Sequence, residues 1–289
     1  MATTSISRRT FFLACSGPLL QGQNEGPKMF GNAESYERFM GRWSRLVAPL
    51  LVQFAAVSEA GQVLDIGSGT GSLAFEVARR KRGTRVTGID PSEEYVAYAM
   101  SKRQFPERTT FEVGDAQRLR FANGTFDACV SLLVFNFIPD PAQALREVRR
   151  VTKPGARISA AVWDYGGRME MLRAFWEATV SLDPQVNKGD EQYMKLSRSG
   201  DLAQLWKQGG LENVREQPLD ISMKFASFRD YWDPFLLGQG PAGTYVRSLD
   251  EKQVQALRDT VKQRLAVTEE SQALTLPARV WAVRGTVPR

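Results

Sequence analysis

The run Val63-Leu64-Asp65-Ile66 leads straight into Gly67-Ser68-Gly69-Thr70-Gly71 and then into a helix-forming stretch. Glycines at alternate positions let the chain turn sharply and let a ligand approach the backbone without meeting a Cβ. The turn nearly matches the dinucleotide fingerprint, but its third glycine comes one position early, and Ser72 stands where that pattern wants Gly or Ala. Asp65 separates two ligand chemistries. A carboxylate at the end of this strand repels a pyrophosphate and attracts a ligand that carries cationic groups.

Two further acids recur at matching places. Asp90 ends Val86-Thr87-Gly88-Ile89-Asp90, where a carboxylate can accept both hydroxyls of a ribose. Asp115 follows Phe111-Glu112-Val113-Gly114, where it can accept from an adenine amino group. Each alone could be a loop aspartate. At three successive strand ends they mark the crevice in which open α/β sheets bind nucleotides. S-adenosyl-L-methionine fits this set: it has an adenosine, an ammonium and a sulfonium, and no phosphate. An NAD reading shares Asp90 but is disfavoured by Asp65 and by the glycine spacing.

The elements that must position these residues alternate. Residues 33–58 read as one or two helices, with Tyr36, Phe39, Trp43, Leu46 and Leu50 at helical spacing. Strands are expected at 63–66, 85–89, 110–113, 128–135 and 157–163. Helices are expected at 72–82, at 92–103 capped by Ser92, and from Pro141, behind an Asp140 cap, to Lys153-Pro154-Gly155. Strict alternation means βαβ units and a parallel sheet covered on both faces. Beyond Trp163 the pattern loosens: an inserted helical segment over 165–200, helices at 201–209, 228–237 and 249–266, and strands at 212–224 and 274–285.

The chain has 289 residues, 43% hydrophobic and 24% charged, which suits one domain with a modest lid. It has no histidine, which excludes a Ser-His-Asp hydrolase, a Cys-His protease and a His-ligated zinc site, and no metal is expected. Two cysteines cannot make a disulfide framework, and Cys129, in an apolar run, reads as a buried free thiol. The net charge of +6 is spread out; Arg79, Arg80, Lys81 and Arg82 suit a helix C-terminus, so the positive charge is only weak evidence for a nucleic-acid partner, which is not expected. No apolar run is long enough to cross a bilayer.

Residues 1–28 stand apart. Ser7-Arg8-Arg9-Thr10-Phe11-Phe12-Leu13 resembles a twin-arginine export signal, but Ser16, Gly17 and Pro18 break the apolar stretch and no small-x-small cleavage site follows. The favoured reading is a disordered extension or a start assigned too early, with the domain running over 29–289 from Met29 in the cytoplasm. Export is the alternative.

In order and spacing, VLDIGSGTG at 63–71, VTGIDPS at 86–92, VGDAQRL at 113–119, FDACVSLLVFNFIPD at 126–140 and LREVRRVTKPGARI at 145–158 resemble the class I adenosylmethionine-dependent methyltransferases. The branch containing the ubiquinone and menaquinone methyltransferases is the most similar. The resemblance implies a Rossmann-like α/β fold: seven strands in the order 3-2-1-4-5-7-6, mostly parallel with the last antiparallel, helices on both faces and a small helical lid. It implies that Asp65, Gly67, Ser68, Gly69 and Gly71 surround the methionine part of the cofactor, with backbone near Ser131–Leu133, Leu132 included. Asp90 would hold the ribose, Pro91 would lie against the adenine, and Asp115 and Ala116 would meet its edge. Many relatives carry a His pair where this chain has Phe135-Asn136-Phe137, so a histidine-assisted mechanism is not expected here.

The lid segments would be 30–43, 164–200 and 225–246. Phe228, Tyr231, Trp232 and Phe235 repeat at helical spacing, as a buried stripe or as an apolar wall over the acceptor, which Trp163 and Tyr165 would join. Tyr36 and Arg42, an aromatic and a cation just before the sheet, would close over the cofactor, Arg42 near its carboxylate. The expected reaction is in-line methyl transfer to a small-molecule acceptor, quinone-like or otherwise lipophilic if the pocket is a closed apolar cavity. A base is needed only for an acceptor that arrives protonated, and would be an Asp, Glu, Tyr or Lys of the lid. The rivals are an RNA or protein methyltransferase and a non-catalytic binding module. Asn136-Phe137-Ile138-Pro139 departs from the Asn-Pro-Pro-aromatic motif of amino-group nucleic-acid methylases.

Overall fold

A computed structural model describes residues 32–289. The 1–28 extension with Arg8 and Arg9, and the first residues of the 30–43 segment, lie outside the described residues.

The described residues open on α1 (Ala33–Tyr36), a π-helical turn (Glu37–Gly41) and α2 (Arg42–Ala55). Then come β1 (Ala60–Ile66), α3 (Ser72–Arg80), β2 (Gly83–Asp90), α4 (Glu93–Ser101), β3 (Thr109–Val113), β4 (Phe126–Leu132), α5 (Pro141–Val151) and β5 (Thr152–Trp163). The second half contributes α6 (Glu170–Leu182), α7 (Asp201–Gln208), β6 (Glu212–Phe225), α8 (Phe228–Trp232), α9 (Gly240–Arg247), α10 (Glu251–Arg264) and β7 (Leu274–Thr286). All strands join one seven-stranded sheet in the order β3-β2-β1-β4-β5-β7-β6, and β7 runs antiparallel to both its neighbours. This is the expected Rossmann-like order.

Both faces of the sheet are covered because alternate strand residues point to opposite sides. Val63, Val86, Ala128 and Val130 join a core with α2, α3, α6 and α10, while Leu64, Ile66, Ile89, Cys129 and Ile158 join a second core with α5 and α7. The caps follow the sequence: Ser92 accepts from the Tyr95 amide at 3.3 Å and Asp140 from the Gln143 amide at 2.9 Å. Burial pushes the Cys129 thiol up to about 12, so it is an inert core side chain.

Several boundaries shift by a few residues; two boundaries and one helix depart further from expectation. β4 stops at Leu132 because Leu133 turns into the left-handed region at φ 64°. β5 starts at Thr152, directly after α5, with Lys153-Pro154-Gly155 inside it. α9 was hidden by Gly240-Pro241-Ala242-Gly243, where a Pro at the first turn is compatible with a helix but glycines obscure the signal. No helix among the described residues is long and apolar enough to cross a membrane.

Candidate functional site

A cavity of about 830 Å³ opens at the carboxyl ends of β1, β2 and β4. The glycine turn forms its floor. At Gly67, φ is +66° and a Cβ would run into the Val134 side chain, so only glycine fits. At Gly69, φ is +51° and the space beside the missing Cβ is open, which leaves the backbone bare toward the cavity. The Gly69 amide donates to Asp90 Oδ2 at 2.9 Å, and the Ser92 amide donates to Oδ1 at 2.9 Å. The two bonds fix the Asp90 carboxylate at the end of β2 and leave it lone pairs for a ligand. Burial raises its pKa, and these amides offset part of that rise.

Asp65 is the most unusual group in the cavity. It is buried and neither carboxylate oxygen has a hydrogen-bond partner. Burial pushes its carboxyl well above the usual range, the backbone amide of Ala74 offsets only part, and the Asp90 charge adds to the rise. The buried Ser68 hydroxyl beside it is also unpartnered. Buried polar groups are costly to leave unpaired, so this corner is built to be completed by a donor, best of all a cationic one.

Of the residues singled out in the sequence, Tyr36, Asp65, Gly67, Ser68, Gly69, Asp90, Pro91 and Leu132 line the cavity. Gly71 lies behind it, at φ +93°, where it caps α3. Asp115 and Ala116 are not among the lining residues. Asp115 is exposed, and its carboxylate accepts from the Gln117 amide at 2.8 Å.

Arg42 is a correction. Its guanidinium pairs with Asp230 at 2.7 Å and lies over the Trp43 and Phe225 rings, away from the cavity lining. Nothing near Arg42 in the sequence announces a partner in α8. The aromatic repeat also resolves one way. Phe228, Tyr231, Trp232 and Phe235 are buried; Phe235 stacks on Phe175 at 4.6 Å and meets Phe39 edge-on at 5.3 Å. They are core, not cavity wall, and Trp163 and Tyr165 join the same core.

The structure adds residues that the sequence reading passed over. Tyr95, on α4, packs its ring 5.4 Å from that of Tyr36, and Val134 and Phe137 join Leu133, whose backbone the resemblance had already placed at the cofactor, in an apolar wall after β4. The positive φ of a bulky residue, Leu133, was the one signal that could only be seen in the backbone. The N-terminal helix is fastened over the cavity. Glu37 accepts from the Thr70 hydroxyl of the glycine turn and pairs with Arg45, and the Ala33 amide donates to Glu94 Oε1 at 2.9 Å. Asp65, Asp90, Glu93 and Glu94 line the cavity, with no Lys or Arg among the described residues lining it.

Residues 64–160 match the family model described as a methyltransferase domain. Over these residues the chain is similar to methyltransferase domains. It is similar to the ubiquinone/menaquinone biosynthesis C-methyltransferase of Bdellovibrio bacteriovorus, 36% identical over 111 residues, which are 37% of this chain and 46% of that protein. It is 33% identical over 146 residues to the malonyl-[acyl-carrier protein] O-methyltransferase of Erwinia pyrifoliae, covering 50% of this chain and 54% of that one. The methyltransferase domain thus spans about half the length or less of these curated relatives. Among solved structures, the YcgJ protein of Bacillus subtilis superposes with a TM-score of 0.55 at 18% identity, over 84% of this chain and 99% of that one. Phosphoethanolamine N-methyltransferase 2 of Haemonchus contortus gives 0.55 at 18%, over 89% and 57%. At such identity the likeness shows a shared fold.

Proposed function

We propose that this chain is an S-adenosyl-L-methionine-dependent methyltransferase acting on a small molecule. The observation that carries the reading is the Asp65 carboxylate, buried beside the glycine turn with both oxygens unpartnered. A pyrophosphate would worsen that corner and a cationic ligand relieves it. We assign the cofactor's amino-acid part to Asp65, Gly67, Ser68, Gly69 and Leu132, its ribose to Asp90 and its adenine to Pro91. Gly71 contributes the turn, and Asp115 and Ala116 stand at the margin of the adenine side. Tyr36 closes the cavity from the N-terminal helix without help from Arg42.

Bound there, the cofactor supplies a methyl group already made electrophilic by its sulfonium. The chain's work is to hold and align. Asp65 fixes the cationic end, Asp90 sets the depth of the nucleoside, and the wall of Leu133, Val134 and Phe137 leaves an apolar space for the acceptor. Alignment of this kind lowers the barrier by on the order of 7–11 kcal/mol. Tyr36 and Tyr95 shield the site from water.

A small acceptor is supported by a cavity whose about 830 Å³ falls in the range of small-molecule sites, and by the names of the curated relatives. A nucleic acid is disfavoured by a lining with four carboxylates and no base. The domain reading takes residues 29–289 as one unit with the lid segments folded into it, in the cytoplasm, where the cofactor is a metabolite. Calorimetry with adenosylhomocysteine and with NAD, followed by turnover on a metabolite panel, tests the reading. Uptake of adenosylhomocysteine with methylation is the expected result; uptake of NAD alone overturns it. Cofactor binding without turnover would favour a non-catalytic module.

A further inference from the structure

The sheet has a second concavity at its other end, where β5 and β6 begin and β7 finishes. A cleft of about 220 Å³ there is lined by Arg157, Asn213, Arg215, Arg284, Gly285 and Thr286. It shares no lining residue with the cavity at the carboxyl ends of β1, β2 and β4. Strand pairing brings its three arginines together. Arg215 of β6 stands directly across from Arg284 of β7, and Arg157 of β5 stands across from Thr286, two residues further along β7. Residues paired across strands, and residues two apart on one strand, share a face, so all three side chains leave the sheet on the same side. Arg157 and Arg284 each use one Nη1 at the end of α2, donating to the Ala56 carbonyl at 2.9 Å and to the Phe54 carbonyl at 2.6 Å. A guanidinium has five donors, so most of theirs remain. The Arg215 side chain has no hydrogen bond or ion pair among the described residues.

Like charges directly opposed on a sheet are destabilising. The same two strands show the complementary solution further along: Asp220 of β6 stands across from Arg279 of β7 and pairs with it at 2.8 and 3.0 Å. At Arg215 and Arg284 no carboxylate takes that part, and none lines the cleft among the described residues. Glu212, across from Thr286, is exposed and outside the lining. Glu216 turns to the opposite face, where it accepts from the Ser199 hydroxyl and the Gly200 amide. Burial, and then the charges of Arg157 and Arg215, lower the Arg284 pKa. A guanidinium nevertheless keeps its proton, so the repulsion persists in the free chain. The neighbouring polar groups add donors. The ladder shifts register between Glu212 and Arg215, and Asn213 there takes the left-handed region at φ +51° and joins the lining, as does the Thr286 hydroxyl.

We propose that this cleft binds a phosphate-type dianion, either the free ion or the phosphoryl end of a small metabolite, at a place remote from methyl transfer. The match is in charge and in shape. A tetrahedral phosphate presents oxygens in several directions and takes a fork from each of three arginines at once; a monocarboxylate offers two oxygens in one plane and satisfies one fork. At about 220 Å³ the cleft is smaller than the roughly 300–1,000 Å³ of sites for drug-sized ligands, so a compact anion suits it better than a nucleotide. A bound dianion also removes the unrelieved repulsion between Arg215 and Arg284, which is a gain that a neutral or cationic ligand cannot supply. None of this draws on the glycine turn, so the proposal stands apart from the methyltransferase reading.

The test titrates the full chain, at constant ionic strength, with inorganic phosphate, with glycerol 3-phosphate and with acetate. Wild type is expected to bind a phosphate probe at least about tenfold more tightly than acetate, and to melt higher in its presence. Whichever of the two phosphate probes binds more tightly identifies the source, free ion or ester. Arg215→Ala should weaken that binding by about tenfold or more, the value of a charge-assisted hydrogen bond. Arg215→Lys keeps the charge and loses the fork, and should weaken it by about threefold. Without phosphate, Arg215→Ala should melt at or above the wild-type temperature, because it removes a like-charge contact. Adenosylhomocysteine affinity should stay within about twofold in both variants, as expected of separate sites. The proposal is overturned if wild type binds the phosphate probes no better than acetate, or if their binding survives Arg215→Ala undiminished. A lower melting temperature with undiminished phosphate binding would mark Arg215 as structural. A DNA duplex that outcompetes both probes would mark an open nucleic-acid surface and overturn the proposal as well. Should Arg215→Ala not fold, Arg215→Lys carries the same comparison.

Discussion

Asp65 combines two opposed demands in one side chain. Its raised pKa means that the folded chain binds a proton which the unfolded chain releases near pH 4. Its contribution to stability is therefore complete below about pH 4 and falls as pH rises toward the folded value. Asp65→Asn removes this dependence. The ligand-free variant should melt higher than wild type at neutral pH, with the gap closing toward pH 4, as scanning calorimetry across pH would show. The same substitution should weaken adenosylhomocysteine binding by about 10- to 150-fold, the value of a charge-assisted hydrogen bond. In wild type the affinity should rise with pH and binding should release a proton, read as a buffer-dependent binding enthalpy. Stabilisation together with lost binding is the pattern of a group kept for function.

At the scale of elements, the N-terminal helix matters through its π-helical turn. Glu37 folds back along the helix to reach Thr70, and a Cβ on Gly41 would collide with the Glu37 carboxylate. Gly41→Ala should therefore split two properties that usually move together. Helix propensity favours the variant by about 0.5–1 kcal/mol, yet displacing Glu37 loosens the helix from the glycine turn. Adenosylhomocysteine should bind about three- to tenfold more weakly with melting temperature unchanged or higher. Lower stability with unchanged affinity would show that the turn is a packing feature and not a fastening. The period of this helix was legible from Tyr36, Phe39 and Trp43. The π turn was not, because it depends on a partner in another element.

Across the whole molecule, the half of the chain after β5 anchors the N-terminal helix from the far side of the cavity. Arg42 pairs with Asp230, 188 positions away, and Phe39 meets Phe235. Burial would raise the Asp230 pKa, but the Arg42 and Ala226 bonds hold it below the usual range. That contribution is present at neutral pH and is lost as pH falls through the depressed value. Arg42→Ala should cost about 1–2 kcal/mol at pH 7 and less in acid, and leave adenosylhomocysteine affinity within about twofold. A large loss of affinity would return Arg42 to the cofactor. Phe235→Ala should cost about 3–5 kcal/mol in denaturant unfolding, since the ring is fully buried and packed on Phe175, Phe39 and Tyr231.

The sequence alone determined whatever is local. Alternating strand and helix periods set the parallel sheet, glycines with positive φ set the turn after β1, and carboxylates at strand ends set where a nucleoside lies. These signals are legible because each depends on a few consecutive residues and the backbone geometry they permit. Only tertiary structure decided which charges are paired. Arg42 looked aimed at the cofactor and is held by Asp230; Asp115 looked aimed at a ligand and is turned to Gln117; Asp65, which looked aimed at a cationic ligand, is buried with both carboxylate oxygens unpartnered. A side chain's charge state and availability depend on what packs against it from distant elements, and no spacing in the chain records that.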